Sequence, residues 1–155
     1  QLEKLPARVQ RAVAEAMALT RHCTHATLNI CMPYTSRQEM QYVAGAMRKA
    51  VQERLLHPSD VTEALVANSL YTAPASQVDL LIRTSGETRL SDFMLWQSSL
   101  SLLAFQPVLW PEFSLLDLAF SVLEYQRGYT QLHAARTQHT QQMAALQQRE
   151  DEREA

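Results

Sequence analysis

Cysteine and glycine are both scarce in this sequence, which has two cysteines and three glycines in 155 residues. Cys23 and Cys31 do not form a C-x-x-C pair or a disulfide framework, so a reducing compartment such as the cytosol is the simpler interpretation. His22 and His25 flank Cys23, but no second ligand pair at zinc spacing accompanies them. The pattern therefore favours a helix end with a buried thiol over a metal site. The glycine-based signatures of nucleotide-binding loops and serine hydrolases do not occur.

Long hydrophobic runs and basic clusters are also missing. Arg, Asp, Gln or Ser interrupts every apolar stretch, so we expect any membrane contact to be peripheral. A net charge of −2 without a basic cluster predicts no nucleic-acid partner, although it leaves room for a local anion site. The composition, 46% hydrophobic and 19% charged, is typical of a globular domain with a buried core.

Helix and strand patterns alternate along the chain, and such alternation predicts the α/β class, with part of a parallel sheet flanked by helices. The strand patterns are ATLNICM, VDLLI and SLLAF, at residues 26–32, 78–82 and 101–105. The helix patterns cover residues 1–20, 36–55, 59–68, 91–99 and 114 onward. Three strands are few for such a sheet, so either the domain is unusually small or the rest of the sheet lies in sequence outside this chain. The second alternative fits a chain that starts inside a helix pattern at Gln1.

Hydroxyl residues stand at the starts of three predicted helices. Ser36 with Glu39 three residues later forms a capping-box pattern. Ser91 is a plausible N-cap for the 91–99 helix, and Ser114 for the last helix. These positions predict where the helices begin.

The last part of the chain differs in composition from the rest. Beyond residue 128 it is rich in Gln, Arg and Glu and has few apolar residues. We therefore expect residues 1–128 to form the domain and residues 129–155 a polar helical extension exposed to solvent. A partner-binding helix is the alternative for this tail.

The loop IRTSGETRLSDF, residues 82–93, concentrates hydrogen-bonding groups. Arg83 stands where the 78–82 strand ends, and ligands of open parallel sheets bind beyond the carboxyl ends of the strands. Arg89 and Ser91 add a second guanidinium fork and a hydroxyl, and the predicted helix start adds free N–H groups. Gly86 would allow a sharp turn between the two arginines. The set suits a phosphate or a diphosphate.

A second interpretation has equal weight on spacing alone. Arg83 and Arg89 would form ordinary surface ion pairs with Glu87 and Asp92, while Ser91 merely caps a helix. Glu87 has three possible roles: it could orient an arginine, which is the favoured interpretation, approach a metal, or simply face solvent.

The chain resembles the cis-prenyltransferase family over about residues 5–127. The residues that carry the resemblance are DLLIRTSGETRLSDFMLWQ followed by FQPVLWPEF, with LNICMPYTSRQEM and LHPSDVTEAL upstream. Their form is similar to that of the eukaryotic dehydrodolichyl diphosphate synthase catalytic subunits. Such colinearity is more specific than any single motif.

The resemblance implies an activity and a set of ligands. Members of this family condense isopentenyl diphosphate with an allylic diphosphate, usually farnesyl diphosphate, in repeated cis additions that need Mg2+. Arg83, Arg89 and Ser91 would bind the diphosphate of isopentenyl diphosphate, and Glu87 would support them. The product would be a long polyprenyl diphosphate for dolichol and protein glycosylation, made at the cytoplasmic face of the endoplasmic reticulum by a peripheral enzyme.

The resemblance also implies what the chain lacks. The family's amino-terminal motif with its catalytic aspartate has no counterpart here, so catalytic residues are expected upstream of Gln1 and the chain alone would be inactive. A magnesium-binding glutamate of bacterial relatives corresponds to about Leu102, so no metal ligand is predicted in this chain and Mg2+ would bind mainly outside it.

The oligomeric state follows from a further departure. Single-subunit relatives end in an Arg-x-Gly element, which Arg127 and Gly128 do not reproduce. This favours a hetero-oligomer with a Nogo-B-receptor-like subunit. A bacterial-type homodimeric undecaprenyl diphosphate synthase and a non-catalytic scaffold subunit remain the alternatives.

Overall fold

The computed structural model describes residues 2–73 and 77–154, so part of the predicted 71–77 loop lies outside the described residues. The described chain forms four α-helices and two β-strands. In chain order they are α1 (Ala7–Thr20), α2 (Ser36–Gln52), α3 (Glu63–Ser69), β1 (Leu80–Arg83), β2 (Leu102–Phe105) and α4 (Leu115–Glu154). Short 3-10 turns occupy Leu2–Lys4, Pro58–Asp60 and Trp110–Glu112.

The two strands pair in parallel and carry the candidate site at their carboxyl ends. Leu80 lies opposite Leu102, and Arg83 lies opposite Phe105. The predicted strands at 78–82 and 101–105 are therefore confirmed with shifted ends, and so is the α/β class with helices beside a parallel sheet.

The predicted strand at 26–32 is wrong, because no strand forms there. Leu28 and Ile30, the apolar residues that suggested it, are 85% and 68% exposed. A strand requires a neighbour that accepts its ladder of hydrogen bonds, and none of the described residues pairs with this segment. Sequence pattern alone does not supply that neighbour.

Helix α2 forms the main hydrophobic core together with α3, the residue that follows α3, and the segment that follows β1. Its residues Val43 and Met47 are buried with Leu70, and Trp96 packs against them. The structure corrects the cap, because the Thr35 hydroxyl, not that of Ser36, accepts the N–H of Gln38. Ser36 is the first helical residue and is fully buried.

Helix α3 begins later than its sequence pattern indicated. Residues 58–60 form a 3-10 turn, and Thr62 then caps α3 by accepting the N–H of Leu65 at 3.2 Å.

Helix α4 begins as predicted after Ser114 and continues without interruption through residue 129. The Ser114 hydroxyl and backbone N–H both donate to the Asp117 carboxylate, at 2.6 and 2.8 Å. These hydrogen bonds, the hydroxyl's first, lower the pKa of Asp117. In the described part of the chain, no helix is both long enough and apolar enough to cross a membrane.

The long helix is fixed to the sheet at two places. Gly128 lies against β2 so closely that a Cβ there would stand 2.6 Å from Leu102 Cδ1. Further along, the guanidinium of Arg136 donates to the carbonyls of Val78 and Leu100 and to the Asp79 carboxylate. These contacts join α4 to the amino ends of both strands.

Candidate functional site

Arg83 lies at the carboxyl end of β1 and lines a cavity of about 350 Å³. The lining mixes polar and apolar groups from Leu81, Ile82, Arg83, Thr84, Ser85, Leu90 and Phe93. A cavity at this edge of the sheet is where a parallel α/β fold places its ligands. A cationic residue, Arg83, and several apolar residues therefore line the same cavity.

A tight turn follows Arg83 and is determined by the backbone. Ser85 and Gly86 have φ values of 73° and 69°, in the left-handed region. Their N–H groups donate to the carbonyls of Val108 and Gln106, at 2.8 and 3.0 Å. Gly86 therefore turns the chain sharply between the two arginines, and the segment after β2 holds that turn.

Arg89 forms an exposed ion pair with Glu87. Arg89 Nη2 lies 3.3 Å from Glu87 Oε2, and the two side chains are 72% and 41% exposed. One ion pair of the surface ion-pair interpretation, that of Arg89 with Glu87, is thus present in the structure. The pair contributes at most about 1 kcal/mol, since water screens it and both side chains lose entropy.

Ser91 does not cap a helix, and the predicted helix at 91–99 is wrong. Residues 91–100 form a series of turns. Ser91, Asp92 and Met94 have φ values of 49°, 61° and 47°, which a right-handed helix does not allow. Free N–H groups of a helix start are therefore not part of this site, and an anion would depend on side chains.

Asp92 instead docks onto the amino end of α2. Its carbonyl accepts the N–H of Ser36 at 2.8 Å, and its carboxylate accepts the N–H of Arg37 at 3.1 Å. In return the Ser36 hydroxyl accepts the N–H of Leu95 at 3.1 Å. We call these three hydrogen bonds the α2 clamp. Sequence reasoning treated Asp92 only as an ion-pair partner and missed this contact.

Glu39 is the centre of a buried polar network beneath the clamp. Its side chain is 0% exposed and accepts hydrogen bonds from the Tyr34 hydroxyl, the Gln97 amide and the Tyr71 N–H, at 2.5, 3.0 and 2.7 Å. Burial, followed by the hydrogen bond to Glu39, raises the pKa of Tyr34. The spacing of Ser36 and Glu39 was the sequence signal, but it indicated a capping box.

Tyr34 also connects this network to the cavity. Its ring packs edge-on against Phe93, with centroids 5.6 Å apart, and Phe93 lines the cavity beside Arg83. The structure therefore gives Tyr34 a packing role next to the site. The backbone N–H of Arg37 is held by the α2 clamp.

The described residues do not fit a bound Mg2+. They contain no group of three or more His, Cys, Asp or Glu side chains that could hold a metal. Leu102 packs against Gly128 under α4. No step through a metal is derived from these residues.

The thiol of Cys23 is exposed, so its predicted burial is wrong. It follows α1, whose described residues include none that is buried, so that helix end has no surface to cover it.

Comparison with known proteins identifies the kind of chain that has this arrangement. Residues 1–132 match the family model described as "Putative undecaprenyl diphosphate synthase". The chain is 42% identical over 151 residues to a subunit of the dehydrodolichyl diphosphate synthase complex of Mus musculus, covering 97% of this chain and 45% of that protein. It is 42% identical over 125 residues to an isoprenyl transferase of Geobacillus kaustophilus, covering 81% and 49%.

A solved structure has a similar fold. Lavandulyl diphosphate synthase from Lavandula x intermedia, in complex with dimethylallyl diphosphate, superposes with a TM-score of 0.76 at 30% identity. The match covers 79% of this chain and 53% of that one. The chain thus spans about half the length of the curated relatives that it matches.

Proposed function

This chain belongs to the cis-prenyltransferase family, and we propose that its loop after β1 binds the diphosphate of isopentenyl diphosphate in the complete protein. The complete protein would condense that five-carbon unit with an allylic diphosphate, for which we propose farnesyl diphosphate. In each cycle a carbon–carbon bond forms between the two substrates, the carbon–oxygen bond of the allylic substrate breaks so that its diphosphate group leaves as inorganic diphosphate, and the isopentenyl unit loses a proton.

The position of Arg83 is the observation that carries the proposal. Arg83 lines a cavity at the carboxyl end of β1, and Arg89 follows in the same loop. An arginine fork can bind two phosphate oxygens at once. We propose Arg83, Arg89 and Ser91 as the diphosphate ligands.

The Arg89 and Glu87 ion pair is compatible with this role. An exposed pair contributes at most about 1 kcal/mol, whereas a hydrogen bond to a charged group contributes roughly 1.5–3 kcal/mol. A diphosphate can therefore replace the Glu87 carboxylate as the partner of Arg89. Glu87 would hold Arg89 near its working position when no substrate is bound.

The apolar wall of the cavity suits the remainder of the substrate. Leu81, Leu90 and Phe93 stand beside Arg83 in the same recess. Covering apolar surface with a hydrocarbon lowers the free energy, because both surfaces are removed from water. We propose that the isoprenyl group lies on these side chains while the diphosphate faces Arg83.

We propose a hetero-oligomer with a Nogo-B-receptor-like subunit, located peripherally at the cytoplasmic face of the endoplasmic reticulum. The product would be a long polyprenyl diphosphate for dolichol and protein glycosylation, and Mg2+ would bind mainly to residues outside this chain. The mouse relative is a complex subunit, which supports the hetero-oligomer. A bacterial-type homodimeric undecaprenyl diphosphate synthase is the alternative, and the similarity to a bacterial isoprenyl transferase is compatible with it. Activity of the purified full-length polypeptide without a second subunit would decide for that alternative.

The test is Arg89→Ala in the complete protein, assembled with any subunit that its activity requires. We expect KM for isopentenyl diphosphate to rise by about tenfold or more, since a charged hydrogen bond to the diphosphate is lost. Arg11→Ala on α1 is the matched control, because it removes an exposed arginine far along the chain from the loop. An unchanged KM in Arg89→Ala contradicts the proposed site. Calorimetry that detects no binding of isopentenyl diphosphate to the intact protein would favour the scaffold alternative.

A further inference from the structure

Three residues of the segment that begins at Ser91 have strained backbones. Ser91, Asp92 and Met94 all have positive φ, and none of them is glycine. In this region the Cβ atom of an L-residue crowds the following carbonyl, so each residue costs free energy. Such strain persists only where neighbouring structure enforces it, and it concentrates at functional sites.

The α2 clamp is the structure that enforces this conformation. Two of its three hydrogen bonds end on Asp92, one at the carbonyl and one at the carboxylate. The carboxylate faces the N–H groups at the start of a helix, where the helix dipole favours negative charge. The third bond joins Leu95 to the fully buried Ser36 hydroxyl, so the clamp holds both sides of the strained segment.

The clamp acts next to a proposed ligand. Ser91 immediately precedes Asp92, so any rotation of Asp92 moves the Ser91 hydroxyl. A hydroxyl donates to a phosphate oxygen at about 2.5–3.0 Å, so a displacement of about 1 Å removes the bond. The position of Ser91 is therefore determined by residues that are remote in sequence.

We infer that Asp92 and Ser36 are positioning residues, which hold the Ser91 hydroxyl where it can bind the diphosphate without contacting the substrate themselves. The inference rests on the proposed function of the loop. It assigns the amino end of α2 to the site, although no residue of α2 lines the cavity beside Arg83.

Two substitutions at Asp92 distinguish the role of its carboxylate from the role of its backbone conformation. Asp92→Gly removes the carboxylate but accepts the φ of 61° without strain, so the fold can persist. Asp92→Asn keeps an oxygen that can accept the N–H of Arg37. In the complete protein we expect Asp92→Gly to raise KM for isopentenyl diphosphate by about five- to tenfold, as expected for loss of a cap. We expect kcat and KM for the allylic diphosphate to stay within about twofold, and Asp92→Asn to restore wild-type values.

Thr35→Ala is the matched control for general damage to the helix start. It removes the side-chain cap of the same helix, which accepts the N–H of Gln38, but leaves all three bonds of the α2 clamp. Melting temperatures of all variants are measured in parallel. An equal rise of KM in Thr35→Ala and Asp92→Gly would overturn the inference, because helix stability would then explain both.

Ser36→Ala tests the other side of the clamp, since it frees the N–H of Leu95. We expect the same selective rise in KM for isopentenyl diphosphate. If Arg89→Ala raises this KM while Asp92→Gly and Ser36→Ala leave it unchanged, the inference is wrong and the proposed function stands. If Arg89→Ala also leaves it unchanged, the proposed function itself fails.

Discussion

The stretch from Arg83 to Ser98 has two halves, residues 83–90 and 91–98, which are built in different ways. In the first half the charged side chains of Glu87 and Arg89 are largely exposed, and the backbone N–H groups of the turn bind the segment after β2. In the second half Asp92 binds the start of α2, and Gln97 is buried against Glu39. The first half therefore has charged side chains exposed to solvent, whereas hydrogen bonds to α2 and Glu39 hold the second half in one conformation.

The difference matters because the two kinds of contact have different energies. An exposed ion pair is worth at most about 1 kcal/mol and can be exchanged for a ligand. A buried polar group left without its partner costs roughly 1–3 kcal/mol, so its arrangement is hard to alter. A binding loop needs both properties, with exchangeable groups facing the ligand and inflexible groups behind them.

The largest expected effect contrasts two glutamates. Glu39→Ala removes the buried acceptor shared by the Tyr34 hydroxyl, the Gln97 amide and the Tyr71 N–H, and should lower the free energy of unfolding by about 3 kcal/mol. Glu87→Ala removes only an exposed pair and should change it by less than about 1 kcal/mol. Urea unfolding of the complete protein measures both. Equal effects would show that the two halves are not built differently.

A smaller effect is expected at two neighbouring turn residues of the first half. Gly86→Ala places a Cβ at a φ of 69° and should destabilise by about 1 kcal/mol, although that Cβ meets no atom within 4 Å. Ser85→Gly relieves the same strain at 73° and should stabilise by about 0.5 kcal/mol. Opposite shifts in melting temperature check this pair. Shifts of the same sign would mean that side-chain contacts, not backbone angles, determine the turn.

The smallest effect is a dependence of folding stability on pH, which is absent near neutral pH. Because the folded protein raises the pKa of Tyr34, the stability linked to its proton is fully present below the ordinary pKa of 10.0 and is lost as pH rises toward the folded value. Absorbance titration of tyrosinate should detect one late-ionising tyrosine, and Tyr34→Phe should remove that phase. If the titration of Tyr34→Phe is unchanged, Tyr34 is not the late-ionising tyrosine and the prediction is wrong.

Sequence patterns predicted the elements whose signals are local. The strands at 78–82 and 101–105 and the start of α4 at Ser114 follow from apolar runs, β-branched residues and a cap, and the structure places elements there. Arg83 was located through the same logic, since it depends only on where β1 ends.

Tertiary contacts decided the rest. Residues 91–99 have a plausible cap and staple, but Asp92 gains more from the free N–H groups of α2 than from starting a helix of its own. Residues 26–32 have a strand pattern but no described partner. Ser36 and Glu39 stand at capping-box spacing, yet both are buried because α2 begins beneath the loop. In each case the deciding partner lies far away in sequence.

The contacts of α4 make the length of that helix as important as its composition. Gly128 meets β2, and Arg136 reaches the carbonyls beyond the amino ends of both strands, about two helical turns further on. Each residue inserted or deleted between them would rotate Arg136 by about 100° and shift it by about 1.5 Å. This stretch therefore tolerates changes of residue type on its outer face, but it does not tolerate changes of residue number.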